Sequence, residues 1–127
     1  MWPDIELAVM KGMRVHLTGV RVTDEVPPKV ETLGLVVVVQ VAGGADSHTS
    51  DTATIDVEAF AADRAAMWQL AERARQAVHA LAASVAGNVV IDTVDTVQRP
   101  VPVPYGNPAV RRAIATYTLT TRASTNA

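Results

Sequence analysis

The chain has 127 residues, which fits one domain that can bury about two-thirds of the surface its unfolded form exposes. Hydrophobic residues make up 49% and charged residues 19%, which excludes a disordered body, and the lack of cysteine excludes disulfides, thiolate catalysis and Cys-based zinc sites. The net charge of −2 hides an asymmetry, because residues 1–60 carry nine acidic and four basic side chains whereas residues 100–127 carry three arginines and no acid. In a ring with head-to-tail contacts, this asymmetry would give neighbouring copies complementary charge.

The first part of the chain predicts one helix and two strands. Pro3 and Asp4 resemble the start of a helix that runs to about Leu17. Val20–Val26 reads as a strand, and Leu33–Val41 lacks alternation, which predicts a central strand covered on both faces. The second run is too short for a membrane span, and the N-terminus lacks the pattern of a signal peptide.

A polar loop and a strand–helix unit come next. Ala42–Asp51 contains two glycines and predicts a hairpin loop that extends beyond the sheet. Thr52–Ala59 alternates strictly between polar and apolar side chains, which is typical of a strand with one wet and one dry face. The apolar stripe of the following helix, Asp63–Leu81, should lie on the dry face.

The last part predicts two strands separated by a proline-rich arm. Val89–Val97 reads as a strand, and Gln98–Pro108 holds four of the seven prolines and should leave the sheet as an extended arm. Ala113–Arg122 reads as the final strand, and residues 123–127 should fray.

The element order α-β-β-β-α-β-β predicts a single α+β domain that spans residues 1–127. We expect a mixed or antiparallel sheet of about four to five strands. Both helices should pack on one face of that sheet.

Side chains that could support catalysis or metal binding do not combine into a recognisable pattern. The histidines lack a second ligand at helical or finger spacing, and no serine lies in a nucleophile elbow. Asp46, His48 and Asp51 could surround a cation, but such turn residues are far more often solvated. Asp92 and Asp95 lie three residues apart on a strand and should point to opposite faces. The sequence therefore predicts no enzyme, no cofactor and no bound metal.

Trp68 lies at the flank of the predicted apolar stripe, beside Glu72, Arg75 and His79. One interpretation packs Trp68 against the first helix. The alternative makes it an anchor at a protein interface, where tryptophan is over-represented.

The polar face of the sheet is a second candidate surface. If both helices pack on the other face, the polar set is Thr54, Asp56, Glu58, Thr116, Thr118, Thr120 and Arg122. A solvated sheet face is common, and the more specific interpretation is a ring lumen or a surface for a partner.

Several segments follow one another in a distinctive order and spacing. They are Met1–Glu6 opening a helix, Val36–Gly44 as a strand and glycine turn, Asp56–Glu72 as a strand–helix unit, and Pro104–Pro108 followed by Arg111–Tyr117. Together they resemble the tail terminator proteins of long-tailed, siphovirus-type phages that infect actinobacteria. The resemblance covers nearly the whole chain, and Ala82–Ala86 and Val103 depart from the pattern.

This resemblance implies a structural virion protein at the junction of tail and neck, made in the host cytoplasm. It implies a hexameric ring that caps the tail tube, ends tube polymerisation and joins the tail to the head-completion proteins of the neck. DNA would pass through the lumen without specific binding, and neither catalysis nor a membrane is involved. Two alternatives stay open: another head–tail connector protein, and, in a different class, a small-ligand-binding or enzymatic α+β domain.

Residues of three kinds are candidates for contacts with other subunits or partners. The candidates are Gly43, Gly44, Asp46, His48 and Asp51 of the loop, Pro102, Pro104 and Tyr105 of the arm, and Asp56, Glu58, Trp68, Arg111, Arg112 and Arg122 elsewhere. Loop and arm should touch neighbouring subunits or the tube protein, because both are long in an otherwise compact chain. Arg111 and Arg112 should pair with acids of a neighbouring subunit, drawn from Asp46, Asp51, Asp56 and Glu58.

Overall fold

The computed structural model describes residues 4–46, 51–86 and 89–123. Within them the elements are α1 (Ile5–His16), β1 (Arg21–Thr23), β2 (Val36–Asp46), β3 (Asp51–Ala61), α2 (Arg64–His79), β4 (Ser84–Ala86), β5 (Val89–Val103) and β6 (Arg111–Ala123), with a 3₁₀ turn at Val30–Thr32 before β2. The predictions about His48, the loop tip at 47–50, Pro3 and the tail at 124–127 lie outside the described residues.

Both helices begin where a carboxylate can accept a hydrogen bond from the first turn. The side chain of Asp4 accepts from the backbone N–H of Leu7 at 3.0 Å, and that of Asp63 accepts from Ala66 at 2.8 Å. The predicted starts of both helices are therefore confirmed. The predicted apolar stripe of α2 is buried as well, through Met67, Leu70, Ala71, Ala74, Ala77 and Val78.

The strands form one curled sheet in the order β1-β2-β3-β6-β5-β4. β1 pairs with β2 in parallel and every other pair is antiparallel, so the sheet is mixed. α2 packs on β3, β5 and β6, while α1 contacts both edge strands, β1 and β4. The α+β class is confirmed, and the short β4 brings the number of strands to six, slightly above the predicted number.

The hairpin between β2 and β3 differs from the prediction of a long loop at Ala42–Asp51. β2 continues to Asp46, and its pairing with β3 shifts register between Val41 and Gly43. Gly43 adopts a φ of +148°, and a Cβ on Gly44 would overlap the carbonyl oxygen of Thr52. The bulge therefore lies at Ala42, and both glycines pair with β3 inside the ladder, whereas the sequence predicts a loop there.

The proline-rich segment also differs from its prediction. β5 runs on to Val103, and Val101, Pro102 and Val103 pair with the start of β6. Beyond β4, β5 is an edge strand, so a proline nitrogen on its free side removes no ladder hydrogen bond. Register shifts on both sides of Gln98 absorb the irregularity. Only residues 104–110 leave the sheet as an arm.

The first strand is shorter than the predicted Val20–Val26. β1 contains only Arg21–Thr23, because its partner β2 begins at Val36 and the ladder covers three residue pairs. The chain after Thr23 instead crosses the sheet face opposite the helices, where Val30 is buried.

Two apolar clusters hold these layers together. The larger lies between the helices and the sheet and contains the odd-numbered residues from Ile55 to Ala61 of β3 and from Ala113 to Leu119 of β6, as the alternation predicts. The smaller lies on the opposite face and contains Val30, Val36, Val38, Phe60 and Val110. The face without helices is therefore covered at one end.

Candidate assembly interface

The sheet face opposite the helices changes character along β3. Its even-numbered positions pass from exposed to buried in the order Thr52, Thr54, Asp56, Glu58 and Phe60. The register with β6 sets threonines opposite the first three of them, at Thr120, Thr118 and Thr116. The open end is the name we give to these six residues, Thr52, Thr54, Asp56, Thr116, Thr118 and Thr120. The covered end is the smaller apolar cluster together with Tyr105.

The open end is polar but internally bonded. The hydroxyl of Thr116 donates to Asp56 Oδ1 at 2.7 Å. Among the candidate acids, Asp56 and Asp51 are half-buried and Glu58 is 9% exposed. The predicted polar set therefore shares one face, and Glu58 alone among its carboxylates is buried by the covered end.

Arg112 and Glu58 are partners within the same chain. Arg112 Nη1 donates to Glu58 Oε1 at 3.2 Å, and Arg112 Nη2 donates to the carbonyl of Pro104 at 2.8 Å. The guanidinium lies 5.1 Å from the centre of the Tyr105 ring, which meets the ring of Phe60 edge-on at 5.1 Å. Arg112 thus anchors the arm to its own subunit, and its pairing with a neighbour's carboxylate stays a prediction.

Arg122 likewise has an ion-pair partner within the chain. Its Nε lies 3.1 Å from Asp92 Oδ2. The register shift between Ile91 and Thr93 leaves Asp92 on the face of Arg122, and Asp95 pairs with Thr118 on that face too. The prediction that Asp92 and Asp95 point to opposite faces is therefore wrong, because the bulge interrupts the alternation.

Trp68 lies on the side of α2 that faces β5. It is half-buried and lines a groove of about 660 Å³ with Thr96, Arg99 and Pro100. On the side of α2 nearer to α1, Arg73 donates instead to the carbonyl of Thr18 at 2.9 Å. The interpretation that packs Trp68 against the first helix is therefore wrong, and its role as an interface anchor stays a prediction.

Three arginines surround Trp68 and the arm without an ion-pair partner in residues 4–46, 51–86 and 89–123. Arg64 lies 5.8 Å from the Trp68 ring, and Arg64 and Arg111 line a second groove of about 540 Å³ beside Pro102. Arg99 lines the first groove. We call the surface made by Arg64, Trp68, Arg99, Pro100, Pro102 and Arg111 the basic groove. Sequence reasoning singled out Trp68, Pro102 and Arg111 but missed Arg64 and Arg99, which only the packing of α2 on β5 brings together.

An acidic surface lies at the opposite edge of the sheet. Beyond the end of β1, the N–H of Val41 donates to Glu6 Oε1 at 3.0 Å, and Gln40 Nε2 donates to the carbonyl of Asp24 at 3.5 Å. These bonds bring the start of α1 and the end of β1 to the same stretch of β2. We call Asp4, Glu6, Asp24 and Glu25 the acidic edge. Only the excess of acids in residues 1–60 signalled it in the sequence.

One buried hydroxyl stands apart from these surfaces. Tyr117 is fully buried under α2, and its hydroxyl has no hydrogen-bond partner among the described residues. Burial raises the pKa of Tyr117 to about 12, against a lowering contribution from nearby Arg75.

The described ranges contain no helix long and apolar enough to cross a membrane. Nor do the described residues contain a group of three or more His, Cys, Asp and Glu side chains placed to share a metal ion.

The fold and these surfaces define a small α+β domain with a polar sheet face and opposite charges on its two free edges. The chain belongs to the phage tail termination protein family, whose model matches residues 1–127. It is also similar in fold to a chain in the virion of a native gene transfer agent particle, with a TM-score of 0.67 and 16% identity over 92% of this chain and 93% of that chain. A comparison with curated proteins finds no match. The resemblance is confirmed at the level of the family, and the narrower assignment to phages of actinobacteria stays a prediction.

Proposed function

We propose that this protein is a tail terminator that forms a six-membered ring on the end of a phage tail tube. The ring ends tube polymerisation and presents a docking surface to the neck proteins that complete the head. The observation that carries this proposal is the match of the tail termination family to the whole chain. The fold shared with a chain in the virion of a native gene transfer agent particle supports it, because that chain is also part of a virion.

The two charged surfaces favour a ring over a two-fold dimer. A two-fold contact brings the same patch of each copy together, which would oppose like charges here. The acidic edge lies beside β2 and the basic groove beside β5, at opposite sides of the sheet. A head-to-tail contact therefore joins unlike surfaces and closes into a ring if the rotation permits.

The role we propose needs no catalytic residue, and the tail and neck proteins are the partners. Of the carboxylates Asp92 and Asp95, Asp92 is already paired with Arg122. The open end, with its threonines and half-buried Asp56, suits a lumen that DNA passes without binding, because it offers no array of cations to phosphate.

The experiment is electron microscopy of tails made by a phage whose gene for this protein carries an early stop codon. We expect tubes longer than those of the parent phage, without heads, and restoration of uniform length when the protein is supplied from a plasmid. Tubes of normal length that fail to join heads would instead assign the protein to the neck, and normal virions would overturn both assignments.

A further inference from the structure

We propose that the contact between neighbouring subunits of this ring places the acidic edge of one copy in the basic groove of the next. This inference rests on the proposed function and deepens it, because it names the two surfaces that meet. The occupant of each surface is a second copy of this chain.

The basic groove has free positive charge at its rim and apolar surface within. Arg64, Arg99 and Arg111 have no carboxylate partner in the part of the chain that the structure describes, whereas the nearby Arg75 is neutralised by Glu72 at 2.8 Å. The only acid at this end of α2, Asp63, is engaged as the helix cap. Trp68, Pro100 and Pro102 supply the apolar floor, and a half-buried tryptophan beside arginine is typical of the centre of an interface.

The acidic edge carries the complementary charge, and its shape allows it to approach the basic groove of another copy closely. Asp4, Asp24 and Glu25 are exposed around a stretch of β2 that no strand covers beyond β1. The bulge at Ala42 follows directly, and the next two residues, Gly43 and Gly44, present backbone without side chains. Of the arginines on this side, Arg21 lies at the start of β1 and Arg14 donates to the carbonyl of Val22.

Apolar side chains accompany the charges on both sides. Val41 is 43% exposed at the acidic edge, and Val97 is 62% exposed on β5 next to the basic groove. Burying both adds a favourable contribution that does not depend on salt. Pro100 and Pro102 remove two backbone donors from β5, so the contact is formed by side chains and is not a continuation of the sheet.

A second copy fits better than nucleic acid as the occupant. A nucleic acid would match the basic groove but would leave the acidic edge without a partner. Each copy carries both surfaces once, on opposite edges, so a closed ring satisfies every surface of every subunit.

The test uses disulfide trapping, since the chain contains no cysteine. A variant with Arg99→Cys and Glu25→Cys is oxidised under conditions in which the unmodified protein assembles, or on isolated tail tubes. We expect a ladder of crosslinked species that ends at the closed ring, and nothing above a dimer from either single-cysteine variant. A double variant that assembles but yields no more crosslinking than the single variants would overturn the inference.

Charge reversal supplies an independent readout. Arg99→Glu and Glu25→Arg should each weaken assembly about tenfold, and the two reversals combined should recover most of the loss. Lys29→Glu and Glu31→Arg, at exposed positions that belong to neither surface, serve as controls and should leave assembly unchanged. Reversals with no effect on a ring that still forms would refute the contact alone, whereas an unmodified protein that never assembles or caps tubes would refute the proposed function.

Discussion

The two ends of the sheet face opposite the helices follow one alternating pattern and yet have opposite properties. At the covered end, Phe60 is fully buried and Glu58 nearly so. At the open end, two to six residues before Glu58 on the same strand, Thr54 and Asp56 are half-buried and Thr52 is exposed. The difference comes from distant segments, since the chain around Val30 and the arm at Tyr105 cover only one end.

This difference separates residues that hold the subunit together from residues that remain available to partners. Arg112 illustrates the first kind, because its three contacts connect β3, β6 and the arm. Arg111, its neighbour in sequence, illustrates the second, because it is exposed at the basic groove. Adjacent arginines therefore have different roles. Matched substitutions in the covered end and in the exposed surfaces can test this distinction, by comparing their effects on stability and on assembly.

Removal of a large side chain from the covered end should have the largest effect. Phe60→Ala leaves a cavity beneath Tyr105 and should lower the free energy of unfolding by about 3–5 kcal/mol. The matched change at the open end, Thr118→Ala, should alter it by no more than about 0.5 kcal/mol. Urea denaturation followed by circular dichroism measures both, and equal losses at the two positions would contradict the comparison.

The ion pair at the covered end should contribute the next largest effect. Glu58→Gln leaves the Arg112 guanidinium without its counter-charge in a site where both side chains are less than a fifth exposed. We expect a loss of about 2–3 kcal/mol, somewhat below that for a wholly buried pair. A double-mutant cycle with Arg112→Gln should give a coupling energy of about 1–3 kcal/mol. Strictly additive losses would indicate that the two side chains do not interact.

Local patterns predicted the helices and the faces of the strands well. The carboxylate caps depend only on residues within the first turn of each helix, at Asp4 and Asp63. The apolar stripe of α2 likewise depends only on residue spacing within that helix, so both features can be predicted from a short segment of sequence. The same holds for the alternation in β3 and β6, which assigned the odd positions to the core.

The errors arose where pairing with a distant strand overrode a local signal. Gly43 and Gly44 are typical of turns, but both pair with residues of β3 and so belong to a strand that continues past a bulge at Ala42. Pro102 is typical of loops, but β6 pairs with it along an edge where its missing N–H is harmless. The basic groove could not be predicted for a related reason, because Arg64 and Arg99 are 35 residues apart in the sequence and only packing brings them to one surface.

The two faces of β6 also differ in whether a hydroxyl group is hydrogen-bonded, and the variant Tyr117→Phe tests that difference. Thr116 donates to Asp56, whereas the buried hydroxyl of Tyr117 has no partner among the described residues. Removing the hydroxyl of Tyr117 by substitution with Phe should raise the free energy of unfolding by about 1 kcal/mol, because an unpaired buried polar group is unfavourable. The matched variant Thr116→Val should instead lose about 1 kcal/mol.

Tyr117 also gives this prediction a pH dependence. Since the pKa is about 12 in the folded protein and about 10 in the unfolded chain, the folded state retains the phenol proton longer. The contribution of this phenol to the free energy of unfolding is fully present below pH 10. It falls by about 2–3 kcal/mol as the pH rises from 10 through 12. The difference between the parent protein and Tyr117→Phe in denaturation midpoint should therefore widen over this range, and a constant difference would contradict the assignment.

The smallest effect on stability should come from the basic groove, where the comparison of adjacent arginines is most direct. Arg111→Glu removes no side-chain hydrogen bond or ion pair within the described part of the subunit, so it should change the free energy of unfolding by no more than about 0.5 kcal/mol. It should nevertheless prevent assembly if the groove receives an acidic partner. Arg112→Glu sets two carboxylates together beside Glu58 and should destabilise the subunit itself by more than 2 kcal/mol, on the order of a broken buried pair. Sedimentation velocity and urea denaturation of both variants separate the two causes. A stable Arg111→Glu variant that still assembles would remove Arg111 from the interface, because its fold would be intact and only the contact would have been tested.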